Sequence, residues 1–253
     1  MSGDGRLEGR PEVLEALAAD GVRTVADVLA RAECVRDLPD RSNLVLRAGG
    51  RVFHVKRRRG RAASREAAVI TALTGYGVPV VALAFSGRDR AHGSVAGTLD
   101  LAPARPLDDL LREGALGREG VDAAFRALAV ATAHLHDRKL HHRDLYLCHV
   151  FVDPAAPSAV TWIDVERVAR HHGVLGPRVV KDLAAIESSV PDGVLSCPAR
   201  ARFLRAYLVA RRFPVRSLLG PLLRRVVRKA ARIRAHVPRT PVGDAARPAA
   251  APR

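Results

Sequence analysis

The sequence of 253 residues predicts an α+β protein with a small β-rich N-terminal lobe and a larger helical C-terminal lobe. Segments before Ala102 show strand patterns, whereas segments after it are mostly helical in periodicity. A chain of this length also buries about three quarters of its unfolded surface, which is enough for two packed lobes. We therefore predict an N-terminal extension at 1–20, an N-lobe at 21–101, a C-lobe at 102–236 and a disordered tail at 237–253.

The N-terminal elements follow from periodicity and from residues that interrupt it. Two helical stretches come first and are separated at Asp20 and Gly21. A hairpin with an AGG turn, a basic loop, a helix and two strands follow. The predicted ranges are helical spacing within 11–33, hairpin strands at 43–47 and 51–56, the loop at 57–61, a helix at 65–73, and strands at 78–85 and 94–102.

The C-terminal elements are mainly helices. Pro106 suits the start of a helix, and apolar positions within 121–137 fit a buried helix. Two short strands are predicted at 150–152 and 160–163. Between 218 and 233, leucine, valine, alanine and isoleucine fall on one half of a helix and basic residues on the other, with Pro221 in the first turn.

The composition indicates a class of partner but does not identify the partner. The formal charge of +16 and the pI near 11.2 point to an anionic partner, which includes phosphorylated ligands, acidic membrane surfaces and nucleic acid. Aromatic residues are only 4% of the chain, which argues against base stacking, and no nucleic-acid partner is expected. Cys34, Cys148 and Cys197 form no metal-binding spacing, and no apolar run is long enough to span a membrane.

The stretch HHRDLYLCHVFVD at 141–153 places charged residues directly before an apolar run. The order of helix, HRD, short strand, turn, short strand and IDVER sets Asp144 and Asp164 at the ends of paired strands. Two carboxylates held there suit phosphoryl transfer, since one accepts the proton of the acceptor hydroxyl and the other holds Mg²⁺. The alternative is a solvated loop in which His142 and Arg143 only cap the preceding helix.

A lysine and a glutamate upstream extend this pattern. The strand FHVK ends in Lys56, and Glu66 lies in the next predicted helix. Alternation places His54 and Lys56 on one strand face, so Lys56 can reach phosphate while its neighbours fill the core. Glu66 is the predicted partner that holds the ammonium group. The alternatives are an edge-strand lysine in water and a solvated glutamate in the first turn of a helix.

The strings FHVKRRRG, HHRDLYLCH, WIDVERV and VVKDLA together resemble the lipopolysaccharide core kinases, the Kdo/heptose kinase family with a protein-kinase-like fold. The resemblance covers about residues 22–212. It implies an ATP-dependent sugar kinase, a phosphotransferase with an alcohol group as acceptor. It further implies action on the inner-core saccharide of a lipid-anchored glycan at the cytoplasmic face of the inner membrane.

The resemblance also assigns roles to individual residues. Asp144 becomes the catalytic base within the His142–Arg143–Asp144 motif, and Asp164 becomes the Mg²⁺ ligand. Lys56 contacts the α- and β-phosphates of ATP, with Glu66 as its partner. His149 takes the place of a metal-binding asparagine; because Mg²⁺ prefers oxygen, this residue is expected to contact phosphate, to bind the metal through water, or to be structural. Asp182 is expected to brace the catalytic loop.

Some features depart from the kinase pattern. No GxGxxG precedes Lys56, so we expect a phosphate-covering segment without that glycine motif near 33–42. Asp164 is followed by valine and glutamate in place of the usual Phe-Gly, so regulation by an activation loop is not expected.

The sequence is therefore compatible with three functions. The first is a cytoplasmic sugar kinase whose partner is a lipid-linked saccharide, with the basic helix at 218–233 either packed on the lobe or in contact with an anionic inner membrane. The second is a kinase with a protein or small-molecule substrate on the same fold. The third is a non-catalytic pseudokinase or membrane adaptor.

Overall fold

The protein is described by a computed structural model that covers residues 4–60 and 65–236. The chain divides into two compact units. The described part of the first unit comprises 4–60, 65–72 and 81–100, and that of the second comprises 73–80 and 101–236. An antiparallel sheet dominates the first unit and helices dominate the second, which confirms the predicted α+β class. The predicted tail at 237–253 lies outside the described residues.

The first unit is built on a six-stranded antiparallel sheet. Its strands are β1 (Asp4–Gly9), β2 (Glu33–Asp37), β3 (Arg41–Ala48), β4 (Arg51–Arg58), β5 (Leu83–Asp89) and β6 (Gly93–Leu99). They are hydrogen-bonded in the order β1-β5-β6-β4-β3-β2. Three helices, α1 (Pro11–Ala19), α2 (Val25–Arg31) and the start of α3 (Arg65–Gly75), accompany the sheet.

Helices α1 and α2 cover one side of the sheet with small aliphatic side chains. Val13 and Leu17 of α1, together with Val25 and Val28 of α2, are fully buried in one cluster with residues from β3, β4, β5 and β6. A capping box at Thr24, whose side chain accepts a hydrogen bond from the backbone N–H of Asp27, starts α2.

Strand β4 shows the predicted alternation. Phe53 and Val55 are 1% exposed and face the core, where the Phe53 ring meets the Phe85 ring edge-on at 5.5 Å between centroids. Lys56 therefore points to the opposite side of the sheet and stays half-buried. The turn between β3 and β4 uses Gly49 and Gly50, both at positive φ, which is the geometry of a type I′ hairpin.

Several N-terminal predictions need correction. Strand β1 was not predicted, and the loop predicted at 57–61 overlaps β4, because Arg57 and Arg58 pair with β6. The strand predicted at 78–85 begins only at Leu83. Its first residues belong to the second unit, where Pro79 accepts a hydrogen bond from the backbone N–H of Trp162. The strand predicted at 94–102 ends at Leu99 because a turn follows.

The described residues of the second unit form five helices, besides the end of α3, and several short strands. The helices are α4 (Leu107–Arg112), α5 (Arg118–Asp137), α6 (Pro177–Ser189), α7 (Cys197–Ala210) and α8 (Val215–His236). The strands are β7 (Arg105–Pro106), β8 (Leu140–His141), β9 (Val150–Val152), β10 (Val160–Trp162) and β11 (Ala169–Arg170). Strands β9 and β10 form the predicted pair, and β11 pairs with β8.

Helix α8 packs its apolar side on α6 and α7, as one of the two predicted arrangements requires. Leu222, Val226 and Ala230 are each 2% exposed. The helix begins earlier than predicted, because the backbone N–H of Leu218 already bonds the carbonyl of Pro214. Pro221 therefore lies inside the helix rather than in its first turn. Within the described residues, no helix combines the length and apolar character that a bilayer crossing requires.

Candidate active site

The loop that carries the HRD sequence is held from behind by Asp182, which lies on α6. This fully buried carboxylate accepts hydrogen bonds from the backbone N–H groups of His142, at 2.6 Å, and Arg143, at 2.9 Å. The adjacent Lys181 donates to the carbonyl of Arg143 at 2.8 Å. Arg143 has a φ of 78°, a strained conformation that persists where surrounding contacts fix it. One turn of α6 thus fixes the backbone just before Asp144.

Asp182 is part of a larger buried network. His136 approaches its carboxylate with Nε2 at 3.3 Å and places Nδ1 at 2.8 Å from the Tyr207 hydroxyl. Burial alone would raise the pKa of Asp182, but the hydrogen bonds from His136 and from the His142 backbone hold this pKa below its ordinary value. The predicted bracing role of Asp182 is confirmed by these contacts.

Asp144 follows directly and presents its carboxylate at the surface of the second unit. Its side chain is 17% exposed. Nη1 of Arg167 lies 2.7 Å from one carboxylate oxygen and 3.0 Å from the other. The Asp144 carbonyl accepts hydrogen bonds from the backbone N–H of Tyr146 and from Nδ1 of His149. Arg167 thus contacts the carboxylate, and the other two hydrogen bonds hold the backbone of Asp144.

His149 connects Asp144 with Asp164. Its Nδ1 is 2.8 Å from the Asp144 carbonyl, and its Nε2 is 3.7 Å from the Asp164 carboxylate. Burial would lower the pKa of His149, but contact with the Cys148 thiol and the Asp144 carbonyl, together with the charge of Asp164, raises this pKa to about 9. The two ring nitrogens of His149 thus face the two aspartates, one on each side of the ring.

Asp164 comes just after β10, in a left-handed backbone conformation with a φ of 53°. The preceding Ile163 donates its N–H to the carbonyl of His149, which connects the end of β10 to the loop that carries the HRD sequence. The Asp164 side chain is 41% exposed. A carboxylate presented in this way suits Mg²⁺, which commonly takes one or two carboxylates, substrate phosphates and water. In the described part of the chain, no cluster of three histidine, cysteine or acidic side chains forms a metal cage by itself.

The His142 side chain has a different environment from its neighbours. It is fully buried, its ring meets that of Trp162 at 5.7 Å, and neither ring nitrogen has a partner among the described residues. Burial lowers its pKa to about 4, so the ring is neutral. The structure therefore places His142 beneath the loop as a packing residue, while Arg143 supports the loop through its backbone.

The predicted pair of Lys56 and Glu66 forms within the first unit. Nζ of Lys56 is 2.8 Å from Oε1 of Glu66. The lysine side chain is 35% exposed, whereas the glutamate side chain is 7% exposed. The buried carboxylate thus holds an accessible ammonium group in place, even though only ten residues separate the two in sequence.

Sequence reasoning missed Arg167, Lys181 and His136. Arg167 lies in the quoted IDVER motif, three residues after Asp164, and a short 3₁₀ turn carries its side chain back to Asp144. Lys181 is one of only four lysines in an arginine-rich chain, and that scarcity is a signal that could have identified it. His136 is separated from Asp182 by 46 residues, and no local pattern predicts such a contact.

Three buried histidines make stability depend on pH. Burial lowers the pKa of His136, His141 and His142, so the unfolded chain binds more protons than the folded chain below the ordinary value of 6.5. The stabilisation is complete above that pH and is lost as the pH falls through about 4, the folded pKa of His142. At about 1.36 kcal/mol per pKa unit, His142 alone contributes about 3 kcal/mol.

Urea unfolding between pH 7 and pH 4 measures this loss. The His142→Gln variant should show a shallower fall in the free energy of unfolding than the wild type. His236→Gln, at an exposed position, is the matched control and should keep the wild-type slope. A wild-type stability that does not change over this range would contradict the assignment.

Kinases combine three structural features. These are a braced loop with an accessible carboxylate, a second carboxylate after a pair of strands, and a lysine on a strand that pairs with a glutamate on a helix. The fold and these residues define the chain as a phosphotransferase with a protein-kinase-like fold. A family model described as "Lipopolysaccharide kinase (Kdo/WaaP) family" matches residues 51–207. The chain belongs to this family.

A solved structure described as "WaaP in complex with acyl carrier protein" supports the same assignment. It is similar to this chain with a TM-score of 0.73 and 27% sequence identity, over 90% of this chain and 99% of that chain. No curated protein sequence matches the chain. The chain is thus a lipopolysaccharide core kinase, which uses ATP to phosphorylate a sugar hydroxyl of the inner core. This confirms the predicted family, fold and enzyme class.

Proposed function

We propose that the chain transfers the γ-phosphate of Mg·ATP to a hydroxyl of heptose or Kdo in the lipid-linked inner core, with Asp144 as the base. The observation that carries this proposal is the loop geometry, in which Asp182 braces the backbone and Asp144 presents its carboxylate at the surface. Asp144 accepts the proton of the attacking hydroxyl. Asp164 would hold Mg²⁺, which would neutralise the charge that develops on the phosphate oxygens.

Transfer of labelled phosphate from γ-labelled ATP tests this proposal. The label should appear in a saccharide or glycolipid fraction when the acceptor is deacylated or intact lipopolysaccharide core. Label found only in protein would favour the alternative of a protein kinase on this fold, and no transfer at all would favour a pseudokinase.

Lys56 is proposed to contact the nucleotide phosphates, with Glu66 as its positioning residue. Lys56→Met should lower kcat/KM for ATP by about 100-fold, because a charge-assisted contact to phosphate worth about 3 kcal/mol is lost. Glu66→Gln keeps a hydrogen-bond acceptor and should lower it less. Lys229→Met on α8 is the matched control. Wild-type kinetics for Lys56→Met would refute the assignment.

The phosphate-covering segment is proposed to be the hairpin of β2 and β3, in place of a glycine-rich loop. Its turn at 38–40 is held by Arg59, which donates to the Leu38 carbonyl and to the carboxylate of Asp37. Arg59 also contacts the hydroxyl of Ser42 at 3.1 Å. A hairpin fixed in this way supplies backbone N–H groups without the GxGxxG sequence.

The exposed basic side of α8 is proposed to bind the anionic inner membrane and keep the cytoplasmic enzyme near its lipid-linked substrate. Arg224, Arg228 and Arg232 are exposed at a spacing of four residues and form one stripe. Arg225 and Arg234 instead donate to backbone carbonyls of Leu175, Glu187 and Ser188, so they support the fold. The stripe is free to meet a surface.

Vesicles that contain phosphatidylglycerol measure the membrane contact. At about 1 kcal/mol per basic residue, changing Arg224, Arg228 and Arg232 together to Gln should weaken binding by about 100-fold. The control changes three exposed arginines elsewhere, Arg90, Arg118 and Arg205, to Gln. Equal losses in both variants would show that net charge, rather than α8, determines binding.

The solved WaaP structure contains acyl carrier protein. A protein partner of that kind is therefore proposed for this chain as well, and co-purification of the two proteins after co-expression tests it.

A further inference from the structure

Arg167 is a fixed guanidinium group beside the proposed base. Val165 is fully buried, and the backbone N–H of Val168 closes the short turn by bonding the Val165 carbonyl. The next residues form β11, which pairs with β8 directly before the catalytic loop. The backbone on both sides of Arg167 is therefore anchored, and its side chain reaches Asp144 from a defined position.

The ion pair with Asp144 involves only one of the three guanidinium nitrogens of Arg167. Nη1 contacts both carboxylate oxygens of Asp144, at 2.7 Å and 3.0 Å. Nε and Nη2 of Arg167 make no hydrogen bond to a described residue, and the side chain is 54% exposed. An arginine offers five N–H donors in a planar fork that matches a carboxylate or a phosphate group. Donors remain available on the solvent side, next to the base.

This pairing also affects the reaction. A cation that holds both oxygens of the base competes for the lone pair that must accept the proton of the acceptor hydroxyl. A hydroxyl within hydrogen-bond distance of Asp144 brings its neighbouring substituents within reach of the free Arg167 donors. An anion among those substituents would draw the guanidinium away from Asp144.

We propose that Arg167 binds an anionic group, a carboxylate or a phosphate, on the acceptor saccharide, and that this contact makes the enzyme selective for acidic acceptors. The inference rests on the proposed function and adds a determinant of substrate choice to it. Arg167 acts in two ways: it positions the acceptor, and it leaves Asp144 available once the acceptor is bound. A neutral acceptor leaves the Arg167–Asp144 pair intact.

Matched saccharides test the proposal by binding to the ADP-loaded enzyme, measured by calorimetry. The probes are deacylated inner-core oligosaccharide, the same material with its carboxyl groups reduced to alcohols, and the same material with its phosphates removed. The wild type should bind the unmodified form at least about tenfold more tightly than one of the two neutralised forms. The form that loses affinity identifies the anion as carboxylate or phosphate.

Arg167→Gln should abolish this preference while leaving the affinity for the neutralised form and the melting temperature unchanged. Arg167→Lys keeps the charge without the fork and should retain part of the preference. Arg118→Gln, at an exposed position on α5, is the matched control and should bind like the wild type. A residue that only orients Asp144 would leave the preference for the charged saccharide intact in Arg167→Gln.

Two results would overturn the inference. One is equal affinity of the wild type for the charged and neutralised saccharides, and the other is an equal loss for both in Arg167→Gln. If phosphate is still transferred to saccharide in either case, the proposed function stands and only the role of Arg167 is wrong. If the wild type neither binds nor phosphorylates any of these saccharides, the proposed function fails as well.

Discussion

Asp144→Asn should lower phosphate transfer to the acceptor by about 10²- to 10⁴-fold, the range that general-base catalysis contributes. The asparagine side chain is similar in shape, so the loop braced by Asp182 keeps its geometry, but an amide cannot accept the proton of the hydroxyl. Binding of Mg·ATP should be retained, because the loss concerns the acceptor side of the reaction. Steady-state transfer of labelled phosphate measures the change.

A thermal shift with Mg·ATP separates this catalytic loss from misfolding. Nucleotide at one hundred times its Kd stabilises a protein by about 2.7 kcal/mol, and Asp144→Asn should show the same shift as the wild type. Asp192→Asn, at an exposed position in the same unit, is the matched control and should keep full activity. Undiminished turnover in Asp144→Asn would rule out Asp144 as the base.

Asp182→Ala should lower the free energy of unfolding by about 3–5 kcal/mol, the cost of breaking a buried charged network. The substitution leaves the backbone N–H groups of His142 and Arg143 and the ring of His136 without their shared acceptor. The catalytic loop loses its support at the same time, so transfer should fall together with stability. Asp182→Asn keeps one acceptor oxygen and should lose less. Urea unfolding at neutral pH measures both variants.

An exposed ion pair provides the comparison for this buried network. Asp122 meets Arg202 at 2.8 Å on the surface of the second unit. Asp122→Ala should cost less than about 1 kcal/mol, because solvent screens an exposed pair. If Asp182→Ala lowers the free energy of unfolding by no more than Asp122→Ala does, Asp182 does not stabilise the buried network.

The sequence predicted most of the fold because its strongest signals are local. The hairpin of β3 and β4, the pair of β9 and β10, and helix α5 follow from alternation, turn residues and helical spacing. Strand β1 was missed because DGRLEG contains only Leu7 as an apolar residue. Its pairing with β5 is a long-range contact, and strand formation depends strongly on such a context.

Some contacts of the candidate site could be predicted from the sequence, and others could not. The pair of Lys56 and Glu66 was predicted from motif order and the brace at Asp182 from the family resemblance, and both contacts are present. The Arg167–Asp144 pair joins residues 23 apart through a turn that no pattern indicates. The burial of His142 depends on Trp162, which a separate strand supplies. Contacts of this kind arise only when the chain has folded.

Transfer of one phosphate to an inner-core sugar of lipopolysaccharide through Asp144 is the proposal on which the other predictions depend. Mass spectrometry of outer-membrane glycolipids from cells that contain the wild-type protein, the Asp144→Asn variant or no protein tests it most directly. We expect one additional phosphate on the core saccharide with the wild type alone. Identical glycolipid masses in all three strains would contradict it.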